Sequence, residues 1–429
     1  MSRTRNFVRA YGAAHFSKSL LWYASELLFT FVLTEIYGLS PLVAGGVLAI
    51  SLLMNAAADL VAGAWMSRVA FDVGWALRLQ LFGAVLAALA FAAFGLSGLA
   101  TGELRPVLIA SALFSFRLAY PVLDVPQNAL LALAGAQSGG EHRLSSLRMI
   151  AGGCARLTVA ALFTPLLQGR RLNEQVVNFA VLAAIAAALA LAGAIGLFRS
   201  GRSLEAGPPQ DGDSPTEGRG PGFSRVFAAL LVALGLVAAA SAAFAQSEPY
   251  LASYVIAARL QGGLTMTLVA AGSIVSQPAW SALGQRRGLP SVLSAAGALW
   301  ALGAAALMVQ LLAGSSSPSA ISLALAAFAY GSGSGGTMMA LWAIVARRAR
   351  ASPRRTPKAF AAVGAASKTG GAISALSTAA LLSSAQYHER AHAGSLALAC
   401  LSPILVGLFC VALGLILALR TQGLKPVPT

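Results

Sequence analysis

The stretch Ser115-Phe-Arg-Leu-Ala-Tyr-Pro-Val-Leu-Asp-Val-Pro-Gln-Asn128 lies inside an apolar segment, roughly 105–133, that is long enough to cross a bilayer. Arg117 and Asp124 are seven residues apart, two turns along one helical face. Pro121 and Pro126 bracket the acid, and each removes an N–H that would have bonded four residues back. The carbonyls of Arg117 and Val122 are therefore expected to lack their helical partners, beside a carboxylate. A charge at mid-membrane costs about 2.5–3.5 kcal/mol on the insertion scale, so it marks a functional site by default. Irregular backbone at that depth is tolerated where it lines a cavity or is buried in protein. The competing reading is a kinked helix whose charges only orient packing.

Composition sets the environment. Of 429 residues, 57% are hydrophobic and 10% charged, with a mean hydropathy of +0.75; soluble domains average about 25% charged. An integral membrane protein follows. Cys154, Cys400 and Cys410 fall in apolar spans without partner spacing, so neither a disulfide framework nor a metal site is expected. Arg3, Arg5 and Arg9 precede an apolar run that continues to about Ile36. That run is too long for a signal-peptide core, and it reads as an uncleaved first span.

Apolar runs fall near 12–36, 41–66, 74–98, 105–133, 145–167 and 175–198, then near 225–257, 262–284, 289–312, 317–346, 358–384 and 395–419. The break between the two sets, rich in Gly, Pro and charge, reads as a flexible linker. The expected organisation is a first half at 1–198, a cytoplasmic linker at 199–224 and a second half at 225–429. With both termini cytoplasmic, 21 Lys and Arg face the cytoplasm and only Arg105, Arg170, Arg171, Arg259 and Arg390 face outward. This is the positive-inside bias. The run RRARASPRRTPK (347–358) then faces anionic lipid rather than nucleic acid, despite a net charge of +16. Twelve transmembrane helices in two six-helix halves, all-α, is the major facilitator arrangement of parallel repeats. A multi-pass protein of the cytoplasmic (inner) cell membrane, working as a monomer, is the expectation. A faint echo between Asp59-Leu-Val-Ala-Gly-Ala-Trp-Met-Ser-Arg68 and Gln277-Pro-Ala-Trp-Ser-Ala-Leu-Gly-Gln-Arg-Arg-Gly288 agrees with the repeat.

Depth then groups the intramembrane charges. Counted at 1.5 Å per residue from the cytoplasmic end of each span, Lys18, Asp59, Asp124, Lys368 and Arg156 lie about 9, 10, 14, 15 and 16 Å in. Charges from five spans sharing one layer point to a bundle interior or a wet cavity, with structural ion pairing as the alternative. Asn55 and Asp59 share a face at i,i+4 and could coordinate a small cation or hold a proton. Glu26, deeper in the first span, either extends the polar path or is neutral and hydrogen-bonded. Asp124 has two candidate partners, Arg117 on its own helix and Lys18 across the cavity.

The pieces His15-Phe-Ser-Lys-Ser19, Asn55-Ala-Ala-Ala-Asp59 with Gly63, Leu123-Asp-Val-Pro126, Arg148 and Ser367-Lys368-Thr-Gly-Gly371, in this order, resemble the glycoside–pentoside–hexuronide:cation symporter family. The resemblance implies cation-coupled uptake of sugars, with Asp59 and Lys368 in coupling and Lys18, Asp124 and Arg148 serving the substrate. Placement beside these residues adds Asn55 to the expected coupling site and Asn128 and Arg117 to the expected substrate site. The chain departs from the family pattern at Ser19 and Asn55, where the family carries acids, and at Asn128, where an aromatic is common. The family's acidic motif near the end of the tenth span is replaced by Leu341-Trp-Ala-Ile-Val-Ala-Arg347. A Na⁺ site wants several hard oxygens, so the loss at position 55 favours H⁺ over Na⁺. Three bases in the layer against two acids suit an anionic solute such as a uronate.

Two motif matches are set aside. His388-Glu-Arg-Ala-His392 matches the zincin pattern but falls in a short external turn with no third ligand downstream. Gly331-Ser-Gly-Ser-Gly-Gly336 matches a dinucleotide fingerprint but continues as apolar sequence on both sides, so it reads as a Gly-rich membrane helix. No Walker A sequence occurs. The expected function is secondary active symport of a small polar solute, not an enzyme, with no cofactor beyond the coupling ion. The alternatives are a transporter or exporter of drugs, peptide-like compounds or lipids, and a non-transporting sensor on the same fold.

Overall fold

The computed structural model describes residues 2–68, 72–133, 141–205, 225–256, 259–313, 320–349, 356–384, 386–389 and 393–422. All regular structure among them is helical. Before the expected linker come α1 (Ser2–Leu27), α2 (Pro41–Met66), α3 (Val73–Ser97), α4 (Arg105–Leu133), α5 (Glu141–Leu166) and α6 (Leu172–Glu205). After it come α7 (Arg225–Tyr250), α8 (Arg259–Val275, continued as Gln277–Arg287), α9 (Leu289–Leu312), α10 (Ala320–Ala349), α11 (Thr356–Ser384) and α12 (Leu401–Gln422). Most of the linker, at 206–224, lies outside the described residues, as do 350–355 of the basic run, Arg390 and His392.

Eight helices are singly long and apolar enough to cross a membrane, or nine when α1 and its bent continuation are taken together. The segments that fall short are α8, α10 and α11. Helix α8 is interrupted after Val275, so that neither of its pieces, of 17 and 11 residues, is long enough alone; α10 and α11 carry Ser334, Ser367 and Lys368, which face an internal cavity. Polar residues that serve the interior lower the mean hydropathy of a span that is otherwise apolar.

Packing follows two groups. Helix α1 lies against α5 and α6, and α3 lies against α4 and α6; in the second group α9 packs on α10 and α12, and α8 on α10. The groups meet chiefly along α2 with α11 and α5 with α8. Helices α1 and α7 end alike, each leading into a π-helical turn, Val32–Ile36 and Leu251–Val255. The axis bends by 52° where α1 enters its continuation. Such π turns recur at functional positions of helices.

Small residues set the closest approaches. Helix α4 runs through Pro121 and Pro126 without a break, and Pro126 frees the carbonyl of Val122. Gly83 of α3 lies directly on that carbonyl, where a Cβ would come within 2.5 Å of the oxygen. A backbone-to-backbone contact thus covers the group that the sequence leaves without a helical partner. The Gly331–Gly336 run lies within α10. Gly331 abuts the backbone of Val269 on α8, and Gly333 that of Trp300 on α9. The run is a packing strip between helices, as the apolar flanks imply.

Gly83→Val drives a branched side chain into the α4 backbone, and overpacking of this kind costs about 1–3 kcal/mol. The expected outcome is a lower melting temperature of the detergent-purified protein. Gly46→Ala, where an added Cβ meets nothing within 4 Å, leaves it unchanged or slightly raised. Equal melting temperatures for Gly83→Val and Gly46→Ala contradict the close-packing account.

Candidate functional site

A cavity of about 790 Å³ lies between the two groups of helices. It reaches from Glu26 and Arg117 to Gly284, Gln285 and Leu289 at the α8–α9 junction, where Gln285 is exposed. The volume is within the usual range for small-molecule sites, about 300–1,000 Å³. One wall carries Lys18, Glu26, Arg117, Asp124, Arg148 and Arg156 from α1, α4 and α5; the other carries amides and hydroxyls, among them Ser241, Gln246, Ser273, Gln277 and Ser334.

Three ion pairs among the described residues organise these charges. Lys18 donates to Asp124 at 2.7 Å and to Asn128 at 3.3 Å, joining α1 to α4. Lys368 donates to Asp59 at 2.5 Å, joining α11 to α2. Arg156 donates to Glu248 at 3.0 Å, joining α5 to α7. The second and third pairs therefore cross between the two groups of helices. The partner of Asp124 is Lys18. Arg117, 1% exposed, instead donates to Ser25 Oγ at 3.1 Å and lies over the rings of Trp22, Phe29 and Phe116 at 5.6–5.7 Å.

All of the layer expected from depth except Asp59 lines this cavity, and Arg156 takes a partner from outside that layer. Lys18, Asp124, Asp59 and Lys368 do gather, with Lys368 Nζ over the rings of Trp22 and Tyr120 at 5.8 and 5.5 Å. Arg156 belongs instead with Glu248, a residue that depth counting on α7 places well away from the layer. Glu248 is the main residue that sequence reasoning misses. The sequence does hold a signal for it, since an acid followed by Pro249 interrupts an apolar run, much as Asp124 does in α4. Asn55 and Asp59 stay adjacent on α2, both 0% exposed and set behind Lys368 rather than in the lining. Neither amide atom of Asn55, nor Oδ1 of Asp59, has a hydrogen-bond partner among the described residues.

Arg148 stands apart. Its guanidinium stacks on Trp342 at 4.0 Å, and among the described residues no carboxylate lies within ion-pair distance of it. Glu26 lies within electrostatic reach of both Arg156 and Arg117. Setting Lys18 against Asp124, Lys368 against Asp59, Arg156 against Glu248 and Arg117 against Glu26 leaves Arg148 as the unbalanced cation of the described cavity wall.

At the opposite end of the molecule the two π turns meet. Tyr250 and Thr34 share a hydrogen bond of 2.5 Å. Glu35 accepts from Tyr254 at 2.6 Å and from Tyr387 at 3.0 Å, and His388 Nε2 lies 3.3 Å from it. The rings of Tyr250 and Phe163 flank Phe31 at 5.4 and 5.3 Å. One carboxylate on the α1 side thus holds three groups from the second group of helices, while the cavity extends to the surface at the other end. Partial burial beside that carboxylate pushes the Tyr387 phenol up from its usual range. His388 of the zincin-like motif accordingly serves this contact in the present conformation.

A two-sided helical bundle with a central charged cavity, closed at one end, defines the class as a membrane transporter. The chain belongs to the MFS/sugar transport protein family, whose model matches residues 10–422; these are transporters, not enzymes. No curated protein sequence matches the chain. The fold is similar to that of a D-xylose–proton symporter, at 13% identity and TM-score 0.67, covering 95% of this chain and 96% of that one. It is also similar to a bacterial homologue of the iron transporter ferroportin in an outward-facing state, at 14% identity and TM-score 0.67, covering 95% and 98%. A third likeness is to the major facilitator transporter FucP in the outward conformation, at 15% identity and TM-score 0.58, covering 94% and 98%. The family resemblance read from the motifs agrees with the matched family at the level of sugar transport in this superfamily.

Hydrogen bonds to a charged acceptor are each worth about 1.5–3 kcal/mol, so Glu35→Gln weakens the closed end. The test uses a variant lacking the three native cysteines and carrying Ser241→Cys, reconstituted in sided vesicles. Adding Glu35→Gln is expected to raise maleimide labelling from the π-turn side several-fold, a shift of about 1 kcal/mol or more in the closed–open balance. An unaltered labelling rate on adding Glu35→Gln contradicts the closure.

Proposed function

We propose that the protein is a proton-coupled symporter of a small polar solute, with a uronate or other acidic sugar as the favoured substrate class. In this reading twelve spans place both termini in the cytoplasm of a cell whose inner membrane holds the protein. The cavity faces the cytoplasm and the π-turn end faces outward. The observation that carries the reading is the Lys368–Asp59 pair. It ties α11 to α2 at the junction of the two groups, and it lies directly behind the cavity wall.

The chemistry follows from what a proton does there. Ionised Asp59 holds Lys368 at the α2–α11 contact. A proton on Asp59 cancels the attraction and leaves Lys368, which already lines the cavity, without its counter-ion. A buried ion pair is retained at a desolvation cost, and breaking it by neutralising one partner leaves an uncompensated charge. Solute and proton together restore the balance: an anionic solute supplies the charge that protonation removes. H⁺ is favoured over Na⁺ because Asp59 offers a single carboxylate, with one oxygen already engaged by Lys368, while hard cations require several oxygens.

The substrate assignment rests on the charge count at the cavity wall. Arg148 faces the cavity stacked on Trp342, with no carboxylate partner among the described residues. A guanidinium fork matches a carboxylate in bidentate geometry, and the Trp342 and Tyr120 rings give an apolar sugar face a surface. Lys18, Asp124 and Asn128 line the same wall as Arg148 and offer polar groups suited to hydroxyls.

In proteoliposomes holding an internal pH dye, glucuronate added outside is expected to acidify the lumen, and Asp59→Asn abolishes that acidification while keeping solute exchange. Asp124→Asn leaves Lys18 without its carboxylate and is expected to weaken glucuronate affinity about tenfold or more, a loss of about 1.4 kcal/mol. Sodium-dependent uptake without a pH change replaces the proton reading by a sodium one. Silence with acidic and neutral sugars alike, or flux only outward, contradicts symport and favours an exporter of another class.

A further inference from the structure

We propose that Glu248 is a second proton-binding carboxylate of this transporter, with Arg156 as the cation that holds it when ionised. The inference rests on the proton-coupled reading above and extends it to a site no sequence motif marks. It starts from position. Glu248 is 3% exposed on α7, the helix that continues into the second π turn. One oxygen, Oε2, accepts from Arg156 of α5 at 3.0 Å. The other, Oε1, has no hydrogen-bond partner among the described residues. A buried carboxylate oxygen without a donor is costly as an anion and is satisfied as the O–H of an acid only where an acceptor or water is in reach.

Two spaces adjoin the pair. Arg156 lines the main cavity, beside Glu26. Glu248 also lines a separate small cavity of about 10 Å³ on the side of α8 and the second π turn, with Thr265, Gly262 and Ile256. Its other walls are apolar, among them Phe244, Leu251, Met266 and Leu307, and an apolar space of this size stays dry. The polar approach to Glu248 is therefore from the main cavity, along Arg156. Intramembrane acids in such settings form proton relays.

With Glu248 ionised, Arg156 is held across the junction of the two groups. With Glu248 protonated, Arg156 keeps only Glu26, which Arg117 also faces, so the cavity wall gains one unbalanced cation that an anionic solute can answer. Among the described residues, the other titratable groups that face Glu248 are Tyr330 on α10 and Cys400 before α12. Asp59–Lys368 and Glu248–Arg156 thus form two carboxylate–cation pairs that join the groups. Position 55 is an amide, so α2 brings one carboxylate to the junction and α7 brings the other.

Two measurements test the proposal. The first needs no substrate: infrared difference spectra of the reconstituted protein between acid and alkaline buffer. Wild type is expected to show a protonated-carboxyl band that Glu248→Gln loses and Glu248→Asp keeps, shifted. A full set of bands in folded Glu248→Gln overturns the proposal, whether or not the protein transports. The second uses glucuronate and the internal pH dye. Glu248→Gln is expected to lose acidification while keeping exchange. The double variant Arg156→Gln/Glu248→Gln, neutral at both positions, decides between a proton site and a structural pair. Continued loss of acidification in it supports the proton site; recovery to wild type overturns it. If wild type itself gives no acidification, symport fails, and the infrared result alone decides Glu248.

Discussion

A charge inside a bilayer has to find a partner, and this structure is arranged around that requirement. Most of the acids and bases at membrane depth are used to join helices. Lys18–Asp124 ties α1 to α4 within one group. Lys368–Asp59 and Arg156–Glu248 tie one group to the other, between α2 and α11 and between α5 and α7. Each pair stabilises the present arrangement only while both partners are charged. The same physics that holds the two groups together therefore makes their contact sensitive to protons and to charged solutes. Glycine and proline in α3 and α4 provide a close approach of the two backbones, because Gly83 covers the carbonyl that Pro126 frees.

The two ends of the cavity differ in kind. At one end the wall is ionic, with Arg148 on Trp342 and the α8–α9 junction exposed. At the other, the closure consists of tyrosines around one carboxylate, Glu35, and two π turns that meet through Thr34 and Tyr250. Extra residues in a helical turn leave backbone groups less well paired, which makes these turns natural places for α1 and α7 to bend. Similar turns on the first helix of each group give the closed end a symmetry that the charge distribution does not share.

Much of the fold is legible in the sequence because membrane insertion writes a strong one-dimensional signal. Apolar runs locate the helices, and the flanks of the Gly331–Gly336 run identify it as the helix it is. Within the site, the common level of Lys18, Asp124, Asp59 and Lys368 follows from depth, since rise per residue is fixed in a helix. Depth does not fix azimuth. It leaves open whether Arg117 or Lys18 partners Asp124, and the surroundings of Arg117 turn out to be aromatic rings. It also misses the pairing of Arg156 with Glu248, because the apolar run 225–257 is longer than a bilayer needs and a count from its cytoplasmic end sets Glu248 too deep. Glu248 and Glu35 escape for a related reason. Both lie toward the far ends of their spans, where a charge is ordinary, and their role depends on contacts more than 90 residues distant in sequence.

The most direct test of the central claim is whether proton-sensitive ion pairs between the groups set which end is open. Spin labels at exposed Arg68 on the first group and Gln285 on the second report the width of the cavity mouth by pulsed dipolar spectroscopy in reconstituted membranes. The account predicts that Asp59→Asn, and acid in the wild type, shift the distance distribution toward a narrower mouth, and that acid adds little in Asp59→Asn. A distribution that is the same in wild type and Asp59→Asn at every pH contradicts it.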